Sequence, residues 1–442
     1  MSKKITVVGT GYVGLIAAIG FADFGNEVIG VDIDKEKIDN LNKGISPIYE
    51  QGVYDYLDRN LKSKRLHFSS DIGASMRESE VIFIGVGTPP KGDGEADLSQ
   101  VKSVVKTICK NLNGYKVIVL KSTVPIGTNR WVRDYIKKET NSDNFDVVSN
   151  PEFLREGKAV IDFFHPDRVV VGYESEKSKE IIKDIYRPLN LIETPFVWCN
   201  YETAELIKYA NNAFLATKIT FINQIANLSE NIGADVVQVA KAMGMDGRIN
   251  SKFLHAGAGY GGSCFPKDTR ALVKIGEKYD VNMSLVREVV NSNELQKSRM
   301  VKKLRNITGD LANKNIAVLG LAFKSETDDM RESPAISIIN ELLENNSFIK
   351  VHDPKAIDNA KKIFGDKIVY CDNALDAVKN ADALVLVTDW NEYRSLDLTN
   401  VANLMRNKII LDTKNVILFF PWILALYLHL NLNYKLEEFS SI

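Results

Sequence analysis

Residues 5–8 (ITVV) form an apolar run of strand length that ends at Gly9 and opens into Gly9-Thr10-Gly11-Tyr12-Val13-Gly14, after which a helical pattern runs over residues 13–24. A strand, a G-x-G-x-x-G turn and a helix in that order leave few folds open. The first glycine makes the tight turn, the second lets backbone approach a pyrophosphate, and the third lets the helix pack close to the sheet. The helix N-terminus then presents N–H donors to the phosphates. A second strand pattern over residues 27–32 (EVIGVD) ends in Asp32. A carboxylate there can accept hydrogen bonds from the ribose hydroxyls of NAD and repels the extra phosphate of NADP. The turn therefore predicts an NAD site, although glycines alone are also compatible with a purely structural turn.

Further apolar runs lie at residues 81–86 (VIFIGV), 116–120 (KVIVL) and 146–149 (DVVS). Alternating with helical patterns, they predict a parallel sheet covered on both faces. Residues 201–232 contain neither proline nor glycine, and Leu206, Ala210, Ala213, Phe214, Ile219, Ile222, Ile225 and Leu228 follow helical spacing. We read this segment as a long helix joining two domains, its apolar stripe being either a dimer surface or core. From residue 315 the opening pattern returns: residues 316–319 end at Gly320, 350–353 (KVHD) resemble 27–32, and 383–387 (ALVLV) resemble 81–86. The expected class is α/β, with two Rossmann-like, doubly wound parallel-sheet domains joined by a long central helix in an all-helical middle domain. Boundaries fall at 1–197, 198–300 and 301–442, in keeping with 442 residues at about 150 per domain.

Lys plus Arg number 56 and Asp plus Glu 57, a net charge of −1, so there is no electrostatic footprint for nucleic acid or an anionic membrane. Cys109, Cys199, Cys264 and Cys371 are too scattered for a disulfide framework or a zinc site. No metal is expected, and a reducing compartment fits. The opening MSKKITVVG runs into a strand without an apolar signal core, and a cytoplasmic location is the expectation.

The segment Gly257-Ala258-Gly259-Tyr260-Gly261-Gly262-Ser263-Cys264-Phe265-Pro266-Lys267-Asp268 carries the most chemistry. Its glycines let a loop wrap closely around a ligand, and Pro266 suits the start of a helix. Cys264 would then sit at a helix N-terminus beside Lys267, two effects that favour thiolate. Asp268 could orient a water or a base. Beside an NAD site, a thiolate can capture an aldehyde as a thiohemiacetal, which a second oxidation turns into a thioester and water releases as an acid. Lys208 and Asn212 lie four apart on the long helix and share a face, suited to a substrate hydroxyl and a developing oxyanion. Glu152 and Glu156, in Asn150-Pro151-Glu152-Phe153-Leu154-Arg155-Glu156, follow a strand end, where ligands of α/β proteins bind. Thr123 and Thr88 close two other strands. The turn at Gly320 lacks the G-x-G-x-x-G spacing, so a second NAD site is not expected there, and a different nucleotide suits it better.

With these residues in hand, the chain resembles the UDP-glucose/GDP-mannose dehydrogenase family from about residue 3 to residue 416. The resemblance rests on GTGYVG at 9–14, STVPIGT at 122–128, NPEFLREG at 150–157, PDRVVVG at 166–172, KYANN at 208–212, GAGYGGSCFPKD at 257–268 and FKSETDDMRES at 323–333. It implies NAD on the N-terminal domain, a UDP-sugar substrate, and four-electron oxidation of UDP-glucose with two NAD and water to UDP-glucuronate. It implies that Cys264 is the nucleophile. Lys208, Asn212 and Asp268 would handle the sugar oxygen, base and water, and Thr123 and Glu152 would order water. Gly9, Gly11, Tyr12, Val13, Gly14, Asp32, Lys37, Thr88, Thr123, Glu156, Lys267 and Arg331 match cofactor contacts. Glu152, Phe153, Leu154, Lys208, Asn212, Phe253, Leu254, His255, Ala256, Gly257, Gly261, Lys324 and Lys414 match the sugar-nucleotide side. Arg248 matches an arginine that reaches the substrate of a neighbouring subunit, which implies a homodimer. Tyr260 resembles the glucose-specific branch. UDP-N-acetylmannosamine or GDP-mannose as substrate, and a nucleotide-sugar-binding protein without turnover, are the alternatives.

Two features depart from the family pattern. Where the family usually has Asp-x-Arg-Asn, this chain has Asp412-Thr413-Lys414-Asn415, which keeps the charge but loses the planar bidentate fork. The tail over residues 416–442 opens with an apolar run at 416–430 (VILFFPWILALYLHL) interrupted by Pro421. As a helix that run would extend about 22 Å, short of the roughly 30 Å of a bilayer core, so no transmembrane segment is expected. A shifted reading frame, a membrane-surface or partner-binding helix, and a final strand and helix packed on the third domain all fit it. Lys414→Arg is expected to lower the KM for the sugar nucleotide, and an unchanged KM would count against a binding role for this position.

Overall fold

Alternation along each central strand sends successive side chains into two different cores. The computed structural model describes residues 2–92 and 94–417. In β1 (Lys4–Val8), Ile5 and Val7 join one cluster and Val8 the other. In β4 (Val81–Ile84), Val81 and Phe83 face the first cluster, Ile82 and Ile84 the second. In β5 (Lys116–Leu120), Val117 and Val119 face the first, Ile118 and Leu120 the second. Both faces are dry, which explains why these strands read as unbroken apolar runs.

The remaining strands of this sheet are β2 (Glu27–Val31), β3 (Leu66–Ser69), β6 (Phe145–Ser149), β7 (Val169–Gly172) and β8 (Phe196–Cys199). The eight strands run in the order β3-β2-β1-β4-β5-β6-β7-β8. All neighbours are parallel except β6 and β7, which meet antiparallel through Ser149 and Gly172. The expectation of a purely parallel sheet is corrected at that one junction. The chain leaves β1 toward β2 and later returns to β4 on its other side. This reversal opens a crevice beyond the carboxyl ends of β1 and β4, where ligands of doubly wound sheets bind.

A second sheet contains β9 (Asn315–Leu319), β10 (Phe348–His352), β11 (Val369–Tyr370), β12 (Ala383–Leu386) and β13 (Ile410–Asp412). It is wholly parallel, in the order β11-β10-β9-β12-β13. This repeats the β3-β2-β1-β4-β5 order of the first sheet, as the recurring sequence pattern predicts. Its strands are two-sided as well: Ile316 and Val318 face one cluster, Ala317 and Leu319 the other.

The chain separates into two compact units, Met1–Asn211 with Lys274–Asp280, and Asn212–Val273 with Val281–Ile442. A single helix, Tyr201–Ile232, contributes to both. The helices Val236–Gly244, Phe265–Lys278 and Ser284–Thr308 follow it without an intervening strand. The apolar stripe read on the long helix divides in two. Ala213 and Ile222 are buried, whereas Leu206, Phe214 and Leu228 are exposed, together with Phe221 and Ile232. No helix among the described residues is long and apolar enough to cross a membrane. The apolar tail lies outside the described residues beyond Ile417; Val416 is buried against the cluster of Trp390, Tyr393 and Val401.

The two glycine turns differ in what fills them. In the first unit, the carboxylate of Asp32 accepts the N–H of Thr10 at 2.9 Å. In the second, Asp353 takes the corresponding place after β10 and accepts from both Leu321 N (2.7 Å) and Ala322 N (3.1 Å). Trp390 Nε1 adds a third donor at 3.1 Å. The two N–H groups that follow Gly320 are thus both engaged by Asp353. Gly320 has φ +93°, and a Cβ there would lie 2.4 Å from the Thr388 Cβ. Gly320→Ala is expected to destabilise the protein by about 1–3 kcal/mol from strain and overpacking, read as a lower urea midpoint with an unchanged m-value.

Candidate active site

In the first unit the glycine turn has the geometry its sequence predicts. Gly9 has φ +92°, and a Cβ on Gly14 would lie 1.8 Å from the Gly9 carbonyl oxygen. Gly11, the residue before helix Tyr12–Asp23, is exposed, and a Cβ there would meet open space. A turn closed on its protein side and open at Gly11 fits a pyrophosphate lying against backbone. Val13 is the second residue of that helix and is half-buried. Asp32 also receives the Thr10 hydroxyl at 2.8 Å and the Lys37 ammonium at 3.0 Å. Burial opposes its charge, but the Thr10 N–H, the Lys37 ammonium and the Thr10 hydroxyl outweigh that and hold its carboxyl below the ordinary range. Asp32 is thus an anion at neutral pH, placed where a ribose would bind, and Lys37 is committed to it.

The loops after β4 and β5 are tied together: the Thr88 hydroxyl donates to the Thr123 carbonyl at 2.8 Å. After β6, Glu152 is buried and receives the Lys208 ammonium at 2.8 Å and the Leu154 N–H at 2.6 Å. Phe153 lies beneath the Arg168 guanidinium, 3.7 Å from ring centroid to Cζ, with the Lys208 ammonium at 5.3 Å. Burial alone would raise the Glu152 carboxyl; the Lys208 charge and hydrogen bond, the Leu154 N–H and the charge of Lys121 outweigh it and lower it. Glu156, half-buried on the same loop, lies close enough to Tyr12 to act on its phenol electrostatically.

Two residues here were missed by sequence reasoning. Lys121, the last residue before Ser122, is buried and donates to Asn150 Oδ1 at 3.1 Å and Tyr186 Oη at 3.3 Å. Burial pushes its ammonium down to about 8, against the Glu152 charge. A lysine at the end of an apolar strand was the available signal. The other is Glu50, buried and bonded to the Tyr12 hydroxyl, for which local sequence offers no signal.

In the second unit, Cys264 directly precedes helix Phe265–Lys278, and its carbonyl accepts from Asp268 N at 2.8 Å. Its sulfur lies 3.5 Å from the Ser263 hydroxyl. The Asp268 side chain is fully buried, with Asn212 Nδ2 at 2.7 Å and the Lys267 ammonium at 2.5 Å. Asn212 therefore joins Asp268 and Lys267, both in the first turn of the helix that Cys264 precedes, in one hydrogen-bonded group. The glycines of this loop have a nearer purpose than enclosing a ligand. A Cβ on Gly261 would lie 2.4 Å from the Glu332 carbonyl oxygen, and one on Gly262 would lie 2.8 Å from the Phe323 ring. The loop is also fastened by Asn223 to Gly257 N (2.7 Å), Asn293 to Tyr260 N (2.8 Å) and Gln296 to the Gly257 carbonyl (2.9 Å). Tyr260 is buried edge-on to Phe265, a packing role.

The other predicted residues of this unit spread along its loops. Phe253 has φ +65° and packs near Phe265. Leu254 and Ala256 are buried in the cluster of Ile222 and Val236, with His255 exposed between them. The Lys414 side chain lies along Gly257, its Cδ 3.3 Å from where a Cβ would be. Lys324 has its ammonium 5.7 Å from the Phe323 ring centroid. Arg331 is bonded to Asp329 at 2.8 Å, and Arg248 to Asp246 at 2.6 Å with its side chain 88% exposed.

A doubly wound sheet with a dinucleotide turn, a helical region and a second sheet in the same strand order define a nucleotide-dependent dehydrogenase. Three matches give the family: the UDP-glucose/GDP-mannose dehydrogenase NAD binding domain over residues 3–190, its central domain over 202–295 and its UDP binding domain over 317–418. The chain belongs to the UDP-glucose/GDP-mannose dehydrogenase family. It is 46% identical over 415 residues to the UDP-glucose 6-dehydrogenase TuaD of Bacillus subtilis, covering 94% of this chain and 89% of that one. It is 46% identical over 417 residues to a UDP-glucose 6-dehydrogenase of Rhizobium meliloti, covering 93% and 95%. The structure is similar to that of a UDP-glucose dehydrogenase from Pyrobaculum islandicum, with TM-score 0.90 and 37% identity over 94% of this chain and 95% of that one.

The Glu152–Lys208 pair makes stability depend on pH. A depressed carboxylate contributes stability above its unfolded value, about 4.3, and loses it as pH falls through the folded value. Lys208→Met is expected to cost about 3–5 kcal/mol by leaving a buried charge without its main partner. It should also raise the Glu152 carboxyl, so that acid unfolding begins at higher pH. Urea midpoints measured against pH read both effects, and adding Glu152→Gln should recover much of the loss.

Proposed function

We propose that this protein oxidises UDP-glucose to UDP-glucuronate with two NAD and one water, through a cysteine adduct. The observation that carries the reading is the hydrogen-bonded group Asn212–Asp268–Lys267 at the first turn of the helix that Cys264 precedes. The names and identities of the relatives support glucose as the sugar: the two 46% relatives bear the name UDP-glucose 6-dehydrogenase, whereas a UDP-D-ManNAc dehydrogenase from Pyrococcus horikoshii is 28% identical.

Bound NAD supplies the hydride acceptor for both oxidations. Gly9, Gly11, Tyr12, Val13 and Gly14 would hold its pyrophosphate and Asp32 its ribose, with Lys37, Thr88, Thr123, Glu156, Lys267 and Arg331 as further contacts. Lys208 and Asn212 hold the oxygen of the reacting primary alcohol. The Cys264 thiolate adds to the aldehyde carbon, and the oxygen, steadied by the same amine and amide, takes back the proton it gave to the ordered water in the first oxidation, completing the thiohemiacetal. After the second oxidation the thioester carbon is attacked by water; the C–S bond breaks, the thiolate leaves, and a carboxylate remains. Glu152 with Thr123 orders that water, and Asp268 accepts its proton. Residues 253–257, Gly261, Lys324 and Lys414 bind the nucleotide sugar, with Phe153 and Leu154 flanking it.

The reading includes three functional regions, 1–197, 198–300 and 301–442, and a homodimer. Phe214, Phe221 and Leu228 are exposed at seven-residue spacing, so they line one side of their helix as an apolar seam that a second copy would cover. Arg248, exposed on the same unit, would reach the partner's substrate.

Counting NADH per molecule of UDP-glucose tests the reading. The expected result is two NADH for the wild type, with Cys264→Ser failing to complete the second oxidation. Absence of NADH with UDP-glucose, but its formation with UDP-N-acetylmannosamine or GDP-mannose, would overturn the sugar. Two NADH from Cys264→Ser at the wild-type rate would overturn the cysteine adduct.

A further inference from the structure

Glu50 lies far in sequence from every motif, yet its carboxylate joins two of them. The side chain is 2% exposed, and a buried carboxylate persists only where donors replace water. Those donors come from two loops. Tyr12, in the glycine turn, gives its hydroxyl to Glu50 Oε2. Gly157 N, at the end of the loop that carries Glu152 and Glu156, donates to the same oxygen at 2.7 Å and also lies 3.0 Å from the Tyr12 hydroxyl. Ala159 N donates to Oε1 at 2.9 Å and opens the helix Ala159–Phe164. Burial, then the hydrogen bond and charge of Glu50, push the Tyr12 phenol far up, so it stays a donor across the working pH range.

A second, independent contact ties the same two elements. The helix that follows the glycine turn carries Gly20, and a Cβ there would lie 2.0 Å from the Phe163 ring. Phe163 belongs to the helix that Glu50 caps. The two helices therefore meet through a glycine at one point and through a shared carboxylate at another. Both contacts tie the turn to Gly157, where the 150–157 loop ends, and to the helix that follows it.

We propose that Glu50 is a positioning residue that locks the glycine turn to the Glu152 loop, so that occupation of the cofactor site sets the position of Glu152. The inference rests on reading the turn as the NAD site. It makes Tyr12 a structural partner of Glu50 through its hydroxyl while its backbone remains at the helix N-terminus.

The test uses full-length Tyr12→Phe, Glu50→Gln and the double variant, with NAD affinity measured by calorimetry in the absence of sugar. Losing one charge-assisted buried hydrogen bond should weaken NAD binding about tenfold in each single variant. The double variant should be no weaker than the weaker single one, since both cut the same link. NAD should slow amide exchange at Gly157 and Ala159 in the wild type and not in the variants. The kcat with UDP-glucose should fall with the affinity, and Glu50→Ala should be worse than Glu50→Gln. Tyr12→Phe removes only a hydroxyl, so it keeps the test open if the Glu50 variants do not fold. NAD affinity within about twofold of wild type in folded Tyr12→Phe, or single effects that simply add, would overturn the proposal. If the wild type binds NAD but makes no NADH from UDP-glucose, the substrate reading fails while the calorimetry still decides the role of Glu50.

Discussion

The carboxylate of Asp32 accepts the Thr10 N–H, and that bond type recurs at four other loops. Glu50 takes Gly157 and Ala159. Glu205, buried on the long helix, takes Gly127 N at 2.6 Å and Asn129 N at 2.8 Å, at the start of helix Thr128–Thr140. Asp353 takes Leu321 and Ala322, and Asp412 takes Lys414 N and Ile417 N at 2.9 Å each. Loops that follow parallel strands carry N–H groups without ladder partners, and one buried carboxyl group can accept from two of them at once. The loops that follow those strands are thereby shaped before any ligand arrives.

Local sequence made one half of this arrangement legible. The glycine turn, the two-sided strands and the second unit were readable because each depends on residues close together in the chain. Gly9 and Gly14 contact each other within one turn, and the apolar strands need only alternate between two cores. The acceptors were not readable, because Glu50 is paired 107 residues away from Gly157 and Glu205 76 residues away from Asn129. A buried glutamate in such a place has the same local signature as one on a surface helix. Short edge strands were missed for a related reason. In β8 no residue is fully buried, so the strand lacks the apolar density that marks β4.

The cysteine loop shows how a correct location can come with an incomplete reason. Its glycines suggest room for a ligand, yet Gly261 and Gly262 are required by the chain itself, since the Glu332 carbonyl and the Phe323 ring occupy the space a side chain would need. Sequence makes Lys267 an activator of Cys264, whereas its ammonium is bonded to Asp268. The loop thus owes much of its shape to residues 323–333, which explains why two motifs separated in sequence accompany each other. Tyr260 is part of the same packing.

The paired sheets invite an evolutionary comparison. Strand order, the positive-φ glycine after the first strand and an aspartate after the second are shared by both units. The first turn stays open at Gly11, whereas Leu321 and Ala322 in the second are fully buried. In both turns the aspartate after the second strand holds backbone N–H groups, one at Asp32 and two at Asp353. The extra bond stiffens the second turn, so one chain carries the same element in two grades of rigidity.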